Sequence, residues 1–495
     1  MDTNISRIAL ISCFISFVTL GLYVVTLAPT FGWGDSADLA LRMIDWSDPT
    51  FVGTHRDYVL YRSIGALFQF LPFGDGGTRA NFMTAFFGAL SVGMVGYFAG
   101  FLTQSKLAAI GASFSLAVAH SFWFLSVTAE VYTFNAFLAL SAFTAMGIWY
   151  RTNKPMYMVI AAVLAGVTLS HHAIGLVLTA TLGALALTKA KDIRPISLVV
   201  SIFVWSGAAT IYWLHIFPRF GHGLPLLETI ELGAVRDPFY DVAPVREFLK
   251  FLAYALYNFS GPSVLFIFFG IYTAVQKRSY EVLPAALWAM LLIYAGATSS
   301  APDKFNIYVL VYPSFALFVG LGLAFVAEKY SLSLKTCAAL AASLIVFPTF
   351  TYASAVGLSR AFTFDLTGAR EAPCRDRNLY FLWPPKNGDF GPRKYAEEAL
   401  HALDADALLI TDYTLWRPLL FLQAVEKQRP DVKIVFVEPL FPQGVDNFIN
   451  EQLIYKPVYL ATNNPGRYYQ LNRIEKRFTL RQVGSVFRIY RDSDR

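Results

Sequence analysis

The sequence predicts a polytopic α-helical membrane bundle followed by a C-terminal α/β unit, and three observations lead there. Of the 495 residues 56% are hydrophobic, 16% aromatic and only 15% charged, with a mean hydropathy of +0.48. A water-soluble chain of this length does not have that balance. Apolar stretches long enough to cross a bilayer recur along the first 357 residues, each spanning helix needing ~20 such residues. Charge is also unevenly spread, with 37 of the 74 Asp, Glu, Lys and Arg residues falling between Ser359 and Arg495. Residues 1–357 therefore read as the bundle and 358–495 as a water-facing tail.

About eleven spans are expected, at 6–28, 80–103, 106–125, 131–150, 155–170, 173–188, 196–217, 255–275, 281–298, 306–327 and 334–357. The two short ones flanking His171-His172 also read as one kinked helix. Arg7, Lys106, Arg151, Lys154, Lys189, Lys191, Arg194, Lys277, Arg278, Lys329 and Lys335 fall in alternate short loops. By the positive-inside rule these loops and the amino terminus are cytoplasmic, and eleven spans put the tail outside. The opposite loops hold Asp35, Asp38, His55, Arg56, Asp57, Glu130, His171, His172, Arg219, His222, Asp303 and Lys304. One polar face on a rigid bundle reads as an active site that faces outward. The first apolar segment is longer than a signal-peptide h-region, and Leu27-Ala28-Pro29-Thr30 is a poor cleavage site, so it reads as a retained span.

The tail alternates between helix and strand. Residues 392–403 are amphipathic, 407–411 form a short apolar run, and 415–427 have helical spacing. A second apolar run at 433–437, a helical stretch at 445–453, a third run at 457–461 and a hairpin over 478–490 follow. Alternation of this kind implies βαβ units and a small parallel sheet. No phosphate-binding glycine pattern occurs, so no nucleotide is assigned, and the expected role is acceptor recognition or a lid over the bundle. Cys13, Cys337 and Cys374 make neither a disulfide framework nor a metal spacing. The net charge of +6 is ordinary for basic cytoplasmic loops and gives no sign of a nucleic-acid partner.

Directly after the first span comes Gly32-Trp33-Gly34-Asp35-Ser36-Ala37-Asp38. A carboxylate at the membrane surface is what a transferase acting on a lipid-linked substrate needs as a base, since the base must come within ~3 Å of the proton it removes. Asp35 is the first candidate, and Asp38, one helical turn on, shares its face if Ser36 onward is helical. The plainer reading makes Asp35 a helix cap, because Asp and Ser are both favoured there. The growing charge on a departing lipid phosphate calls for cationic donors. Arg56, Arg219 and Lys304 are the candidates, with His55, His222 and the His171-His172 pair beside them, although each alone also reads as a solvated loop charge. The histidine pair lies between apolar stretches, where ionisable groups usually face a cavity; a hydrogen bond inside the bundle is the alternative. Glu130, Tyr132 and Asn135 stand at the start of the fourth span, either positioning a sugar or serving as a helix start that the macrodipole favours. The histidine and carboxylate spacing matches no zinc motif, so no tightly bound metal or cofactor is expected, beyond a loosely held divalent ion on Asp35 and Asp38.

Thr26-Leu27-Ala28-Pro29-Thr30 running into Gly32-Trp33-Gly34-Asp35-Ser36 resembles the opening of a large family of glycosyltransferase-like membrane proteins. That family is related to the protein O-mannosyltransferases and includes an animal O-mannosyltransferase of receptor ectodomains. The resemblance extends to Leu71-Pro72-Phe73-Gly74 with Arg79 and Asn81, to Ala129-Glu130-Val131-Tyr132 with Asn135, and to Ser170-His171-His172. In the tail it takes in Leu422-Gln423 with Glu426, Arg429-Pro430-Asp431-Val432 and Pro457-Val458-Tyr459. It implies a GT-C glycosyltransferase fold whose first outer loop, here 29–79, carries the catalytic acid, a role that falls on Asp35. It also implies a polyprenyl-phosphate sugar donor, with mannose as the sugar, and a Ser or Thr acceptor on an exported protein or a lipid acceptor. His55, Arg56, Tyr58, Arg219, His222 and Lys304 would then serve the donor phosphate. Trp33, Glu130, Tyr132, Asn135, His171 and His172 would serve the sugar or acceptor. The chain departs from the family in one place, with His55-Arg56-Asp57-Tyr58 where the family has His-Pro-Pro-Gly-Tyr.

Two other classes fit a polytopic chain, a transporter of lipid or sugar and a non-catalytic assembly subunit. Transporters tend to show internal two-fold repeats and sites near midplane. Here no repeat is evident and the ionisable groups collect at one face. A bacterial inner membrane is the preferred address over the endoplasmic reticulum.

Overall fold

The computed structural model describes residues 3–47, 57–222, 243–299, 305–362, 371–440, 444–463, 469 and 471–491. The bundle begins with α1 (Thr3–Val25), α2 (Asp35–Ile44), α3 (Val59–Phe68), α4 (Gly76–Thr103), α5 (Lys106–Ala117), α6 (His120–Ser126), α7 (Tyr132–Thr152), α8 (Pro155–His171), α9 (Gly175–Thr188), α10 (Pro195–Ala208) and α11 (Thr210–Ile216). It continues with α12 (Pro244–Asn258), α13 (Ser263–Gln276), α14 (Leu283–Thr298), α15 (Phe305–Val309), α16 (Tyr312–Lys329) and α17 (Leu334–Ala361). In α1 the buried positions are Ile8, Ser12, Ile15, Thr19 and Tyr23, a single stripe at helical spacing. The other faces carry exposed Phe14, Phe17 and Val25. A helix apolar all round with one packed stripe is lipid-facing on the rest.

Among the described residues five helical stretches are long and apolar enough to cross a membrane, and counting each sharply bent pair as one span gives up to eight. The bent pairs are α5 with α6 (69°), α10 with α11 (64°) and α12 with α13 (107°). Three expected spans, 106–125, 196–217 and 255–275, thus prove to be broken. Of the remaining expected spans, α8 and α9 are separate short apolar helices on either side of the His172 break. Helix α7 has 14 of its 21 residues buried, so its outward surface is protein rather than lipid.

A broken helix frees backbone groups that hydrocarbon cannot satisfy, and at the α5–α6 break side chains replace the lost bonds. The Tyr352 hydroxyl accepts from the His120 N–H (3.0 Å) and donates to the Val118 carbonyl (2.9 Å). Asn258 Oδ1 accepts from the Ser121 N–H (2.8 Å), and the Tyr23 hydroxyl donates to the Ala117 carbonyl (3.0 Å).

The bundle has two unlike ends. At one, Arg151 pairs with Glu281 (2.7 Å) and donates to the Phe101 carbonyl, Lys189 donates to the Tyr150 carbonyl, and Asn4 donates to the Gln104 carbonyl. This end gathers the basic loops. At the other end lie α2, α3 and the C-terminal tail.

The tail holds α18 (Arg377–Leu382), α19 (Gly391–His401), β1 (Leu408–Thr411), α20 (Tyr413–Val425), β2 (Lys433–Phe436), α21 (Val445–Gln452), β3 (Val458–Leu460), α22 (Leu471–Ile474), β4 (Phe478–Val483) and β5 (Val486–Arg491). The sheet order is β2-β1-β3-β5-β4. β2, β1 and β3 are parallel, and the β4–β5 hairpin adds antiparallel strands, with Leu409 between Ile434 and Tyr459. One continuous apolar cluster joins the tail to the bundle, with Tyr395, Leu400, Leu415, Leu419 and Phe421 packed with Phe31, Trp33, Ala37, Leu41 and Phe87. Phe31 and Phe421 have ring centroids 4.5 Å apart.

Replacing Tyr352 with Phe strips the α5–α6 break of a donor and an acceptor. It is expected to cost about 1–3 kcal/mol, read as a lower melting temperature of the detergent-solubilised protein.

Candidate active site

The nine residues after α1 form an irregular segment that leads to α2, and Asn81 holds it in place. Its Nδ2 donates to the Ala28 and Thr30 carbonyls (3.0 and 2.8 Å), while its Oδ1 accepts from the Ala129 N–H (2.7 Å). One buried amide thus ties the segment leading to Asp35 to the loop carrying Glu130. The close approach requires glycine at 77, since a Cβ there would stand 2.1 Å from the Phe31 nitrogen. Asp75 caps α4 through Thr78 and also binds Thr30 and Arg393, so a tail arginine closes the same corner.

Gly34, at φ 52°, turns the chain into α2 and donates its N–H to the Thr414 carbonyl (3.2 Å). Gly34 is also the residue at the cap position, so Asp35 is the first residue of the helix, and no side chain caps α2. The cap reading of Asp35 therefore does not hold. Its carboxylate is exposed, and Oδ1 accepts a hydrogen bond from the Tyr413 hydroxyl at 2.7 Å. Among the described residues Oδ2 accepts none. An acid in the first turn is also favoured by the helix dipole as a carboxylate.

Asp38 does not share that exposed face. It is 2% exposed and lies between Arg42 Nε (3.1 Å) and Arg417 Nε of α20 (3.0 Å). Both guanidinium groups are buried, and Arg42 also faces Asp57, which pairs with Arg62. Asp38 is a structural counter-ion joining α2 to the tail. A divalent ion shared between Asp35 and Asp38 does not fit, because Asp38 faces two fixed cations. No group of three or more His, Cys, Asp or Glu is gathered as a metal site among the described residues.

The other candidates divide into three sets. Glu130 lies in the loop before α7, half-buried, with its N–H towards Thr84 and its carbonyl accepting from the Tyr61 hydroxyl (3.0 Å). It is not a helix-start acid, since Val131 caps α7 and Tyr132 is its first residue. His171 ends α8, is buried, and its Nε2 faces the Val131 carbonyl at 3.3 Å. Tyr58 packs on both His171 and His172, so these three brace the Glu130 loop from the side. Asn135 is 1% exposed, with neither amide atom hydrogen-bonded. Trp33 is buried against Tyr395 (5.9 Å) and under Arg375 (5.7 Å), so its ring anchors the tail and has no face open to a sugar. Arg219 stands in the 3-10 turn 217–222 after α11, and α11 packs on α8. His55, Arg56, Lys304 and the His222 side chain lie outside the described residues.

Sequence reasoning missed the tail's contribution. Tyr413 reaches Asp35, and beside it Trp416 and Phe436 stack with their rings 2° from parallel. Lys386 is buried at the bundle end with its backbone N–H on the Thr26 carbonyl (2.8 Å) and its ammonium over Phe124 and Tyr380. Burial pushes the pKa of that ammonium well below the usual lysine range. No spacing in the sequence announces these residues, which lie more than 340 positions from Asp35. A surface hollow of about 910 Å³ lies elsewhere, against Glu397, His401 and Arg429. There Arg429 is tied to Asp431 and to the Leu400 carbonyl.

Comparison with known proteins bears on this arrangement. Residues 57–194 match the family model described as the protein O-mannosyl-transferase TMEM260 N-terminal domain, a match that begins after Asp35. No curated protein is significantly similar in sequence. The fold is that of ArnT from Cupriavidus metallidurans in its crystal structure bound to undecaprenyl phosphate. The TM-score is 0.56 at 14% identity, covering 96% of this chain and 97% of that one. The same protein in its apo state matches at 0.54 and 14%, with the same coverage. The architecture is thus a polytopic helical bundle with a small C-terminal sheet, the fold it shares with ArnT, and the likeness to membrane O-mannosyltransferases read from the sequence is met in the family model over 57–194.

Removing the Asp38 carboxylate takes away a buried counter-ion that faces both Arg42 and Arg417. Asp38→Ala is expected to destabilise the protein by about 3–5 kcal/mol, and an unchanged melting curve would rule out Asp38 as the tether between α2 and the tail.

Proposed function

We propose that this chain is an integral-membrane glycosyltransferase that moves a sugar from a polyprenyl-phosphate donor to a hydroxyl, with Asp35 as the base. One observation carries the proposal: an exposed carboxylate, not used as a helix cap, on the end of the bundle opposite the basic loops. That geometry occurs in a fold shared across 96% of the chain with a protein crystallised with undecaprenyl phosphate. The positive-inside rule then puts the Asp35 end and the tail outside, in the membrane of a bacterial cell.

Asp35 Oδ2 takes the proton of the acceptor hydroxyl as its oxygen attacks the anomeric carbon. The bond from that carbon to the phosphate oxygen breaks on the opposite face, and the phosphate leaves with the electron pair. A base facing the leaving group across the sugar gives inversion, by the geometry that separates inverting from retaining hydrolases. The phosphate charge calls for cationic donors, a part the sequence offers in Arg56 and Lys304 with His55 and His222. Asp38 serves the base indirectly by fixing α2. Mannose as sugar and a Ser or Thr of an exported protein as acceptor are supported by the family model over 57–194.

The test is to incubate the purified protein with polyprenyl-phosphate mannose, in parallel with the glucose and arabinose equivalents, and follow sugar release in the presence of secreted-protein extract. One donor should be consumed. Asp35→Asn should lower turnover by about 10²–10⁴-fold, the usual share of a general base, with donor binding retained. Consumption of no donor would favour a scaffold or transporter, and full turnover by Asp35→Asn would remove Asp35 from the chemistry.

A further inference from the structure

The Asp35 side chain stands at the surface, where a carboxylate turns freely about its last bond and presents either oxygen. Only one thing limits that freedom among the described residues. Tyr413 comes from the tail, 378 positions away in sequence, and its hydroxyl donates to Oδ1 at 2.7 Å. The tyrosine is held in place from several directions. Asp412 caps α20 by accepting from the Thr414 N–H (3.0 Å). Its own N–H donates to the Tyr469 hydroxyl (2.8 Å), which in turn donates to the Asp412 carboxylate. Trp416 and Phe436 flank the Tyr413 ring with centroids 6.4 and 6.1 Å away.

Two further links run between the same two helices. The Gly34 N–H donates to the Thr414 carbonyl (3.2 Å), and one turn along, Asp38 faces Arg417 at 3.0 Å. Helix α2 is therefore registered against α20 at three successive points, and the Tyr413 hydroxyl is the one that touches the exposed carboxylate. Burial first, and then the Asp35 charge, push the phenol well above its usual range, so it stays protonated and can only donate to a charged carboxylate.

We propose that Tyr413 is a positioning residue for the base, so that the C-terminal tail completes the active site of the bundle. The inference rests on the proposal that Asp35 is the base. By occupying Oδ1 the phenol fixes the plane of the carboxylate and leaves Oδ2 as the oxygen that meets the acceptor hydroxyl. Its role is orientation, and no proton of the reaction passes through it. The tail thereby has a part in turnover in addition to any contact it makes with the acceptor.

Tyr413→Phe keeps the ring, its packing and the α20 cap, and removes only the hydroxyl. In the full-length protein it should lower kcat about ten- to a hundredfold, the scale at which a misplaced catalytic group costs rate. The KM for donor and for acceptor and the melting temperature should stay unchanged. Placing 3-fluorotyrosine at 413, which restores a hydroxyl donor, should bring turnover back to the wild-type range. The proposal is overturned if Tyr413→Phe turns over normally, if only a KM rises, or if the loss follows a fall in melting temperature that 3-fluorotyrosine does not repair. Failure of the underlying reading looks different: Asp35→Asn would then turn over at the wild-type rate. If Asp35→Asn is inactive while Tyr413→Phe is normal, Asp35 stands as the base and only the part assigned to Tyr413 falls.

Discussion

The buried charge of Asp38 is the constraint on which the site is built. A carboxylate removed from water needs compensation nearby, and here it comes from two directions, from Arg42 on its own helix and from Arg417 on the tail. Because one of these arginines belongs to α2 and the other to α20, the buried charge ties the helix to the tail. Asp35 sits three residues earlier on the same helix and inherits that fixity while remaining at the surface. Two carboxylates one turn apart thus differ in setting, one a buried tether and the other an exposed group bonded to Tyr413, the one proposed here as the base.

The bilayer sets the other half of the architecture. Backbone groups in hydrocarbon must be satisfied from within the protein, yet three helix pairs in this bundle are sharply bent. At the α5–α6 break the cost is met by Tyr352, Tyr23 and Asn258, whose polar atoms stand in for missing helical bonds. Just beyond that break run α6 and the loop to α7, where Ala129 bonds to Asn81 and Glu130 lies beside Tyr61. The polar side chains that repair a broken helix and those that brace the site therefore occupy one continuous region at the Asp35 end.

The fold was legible where a pattern of polarity is local. Hydropathy located the helices, and the alternation of apolar runs with helical spacing located β1, β2, β3, α19, α20 and the hairpin to within a few residues. Broken helices escaped, because the break at Val118-Ala119 falls inside a stretch apolar enough to read as one span, and the groups it frees are bonded by Tyr352 more than 230 residues away. Asp35 stood out as a candidate from its place after the first span and its glycine neighbours, and the fold leaves its carboxylate exposed. Asp38 was read as a second catalytic carboxylate and Trp33 as a sugar or acceptor contact because position along the chain cannot show which way a side chain turns; in the fold both are buried, Asp38 between two arginines and Trp33 against Tyr395. Tyr413, Arg417 and Arg393 were invisible as site residues, since each looks like an ordinary residue of an amphipathic tail helix.

By itself the sequence determined that this protein is a membrane bundle with unlike ends, a water-facing α/β tail and an acidic motif following the first span. Those properties follow from composition and short-range periodicity, which solvent and bilayer read directly. Only the tertiary structure decided that the tail packs onto that motif through a shared apolar core, which carboxylate is buried, and which hydroxyl meets the one left exposed. The reason is physical: burial and ion pairing are set by neighbours in space, and here the decisive neighbours are separated by nearly 380 residues of chain.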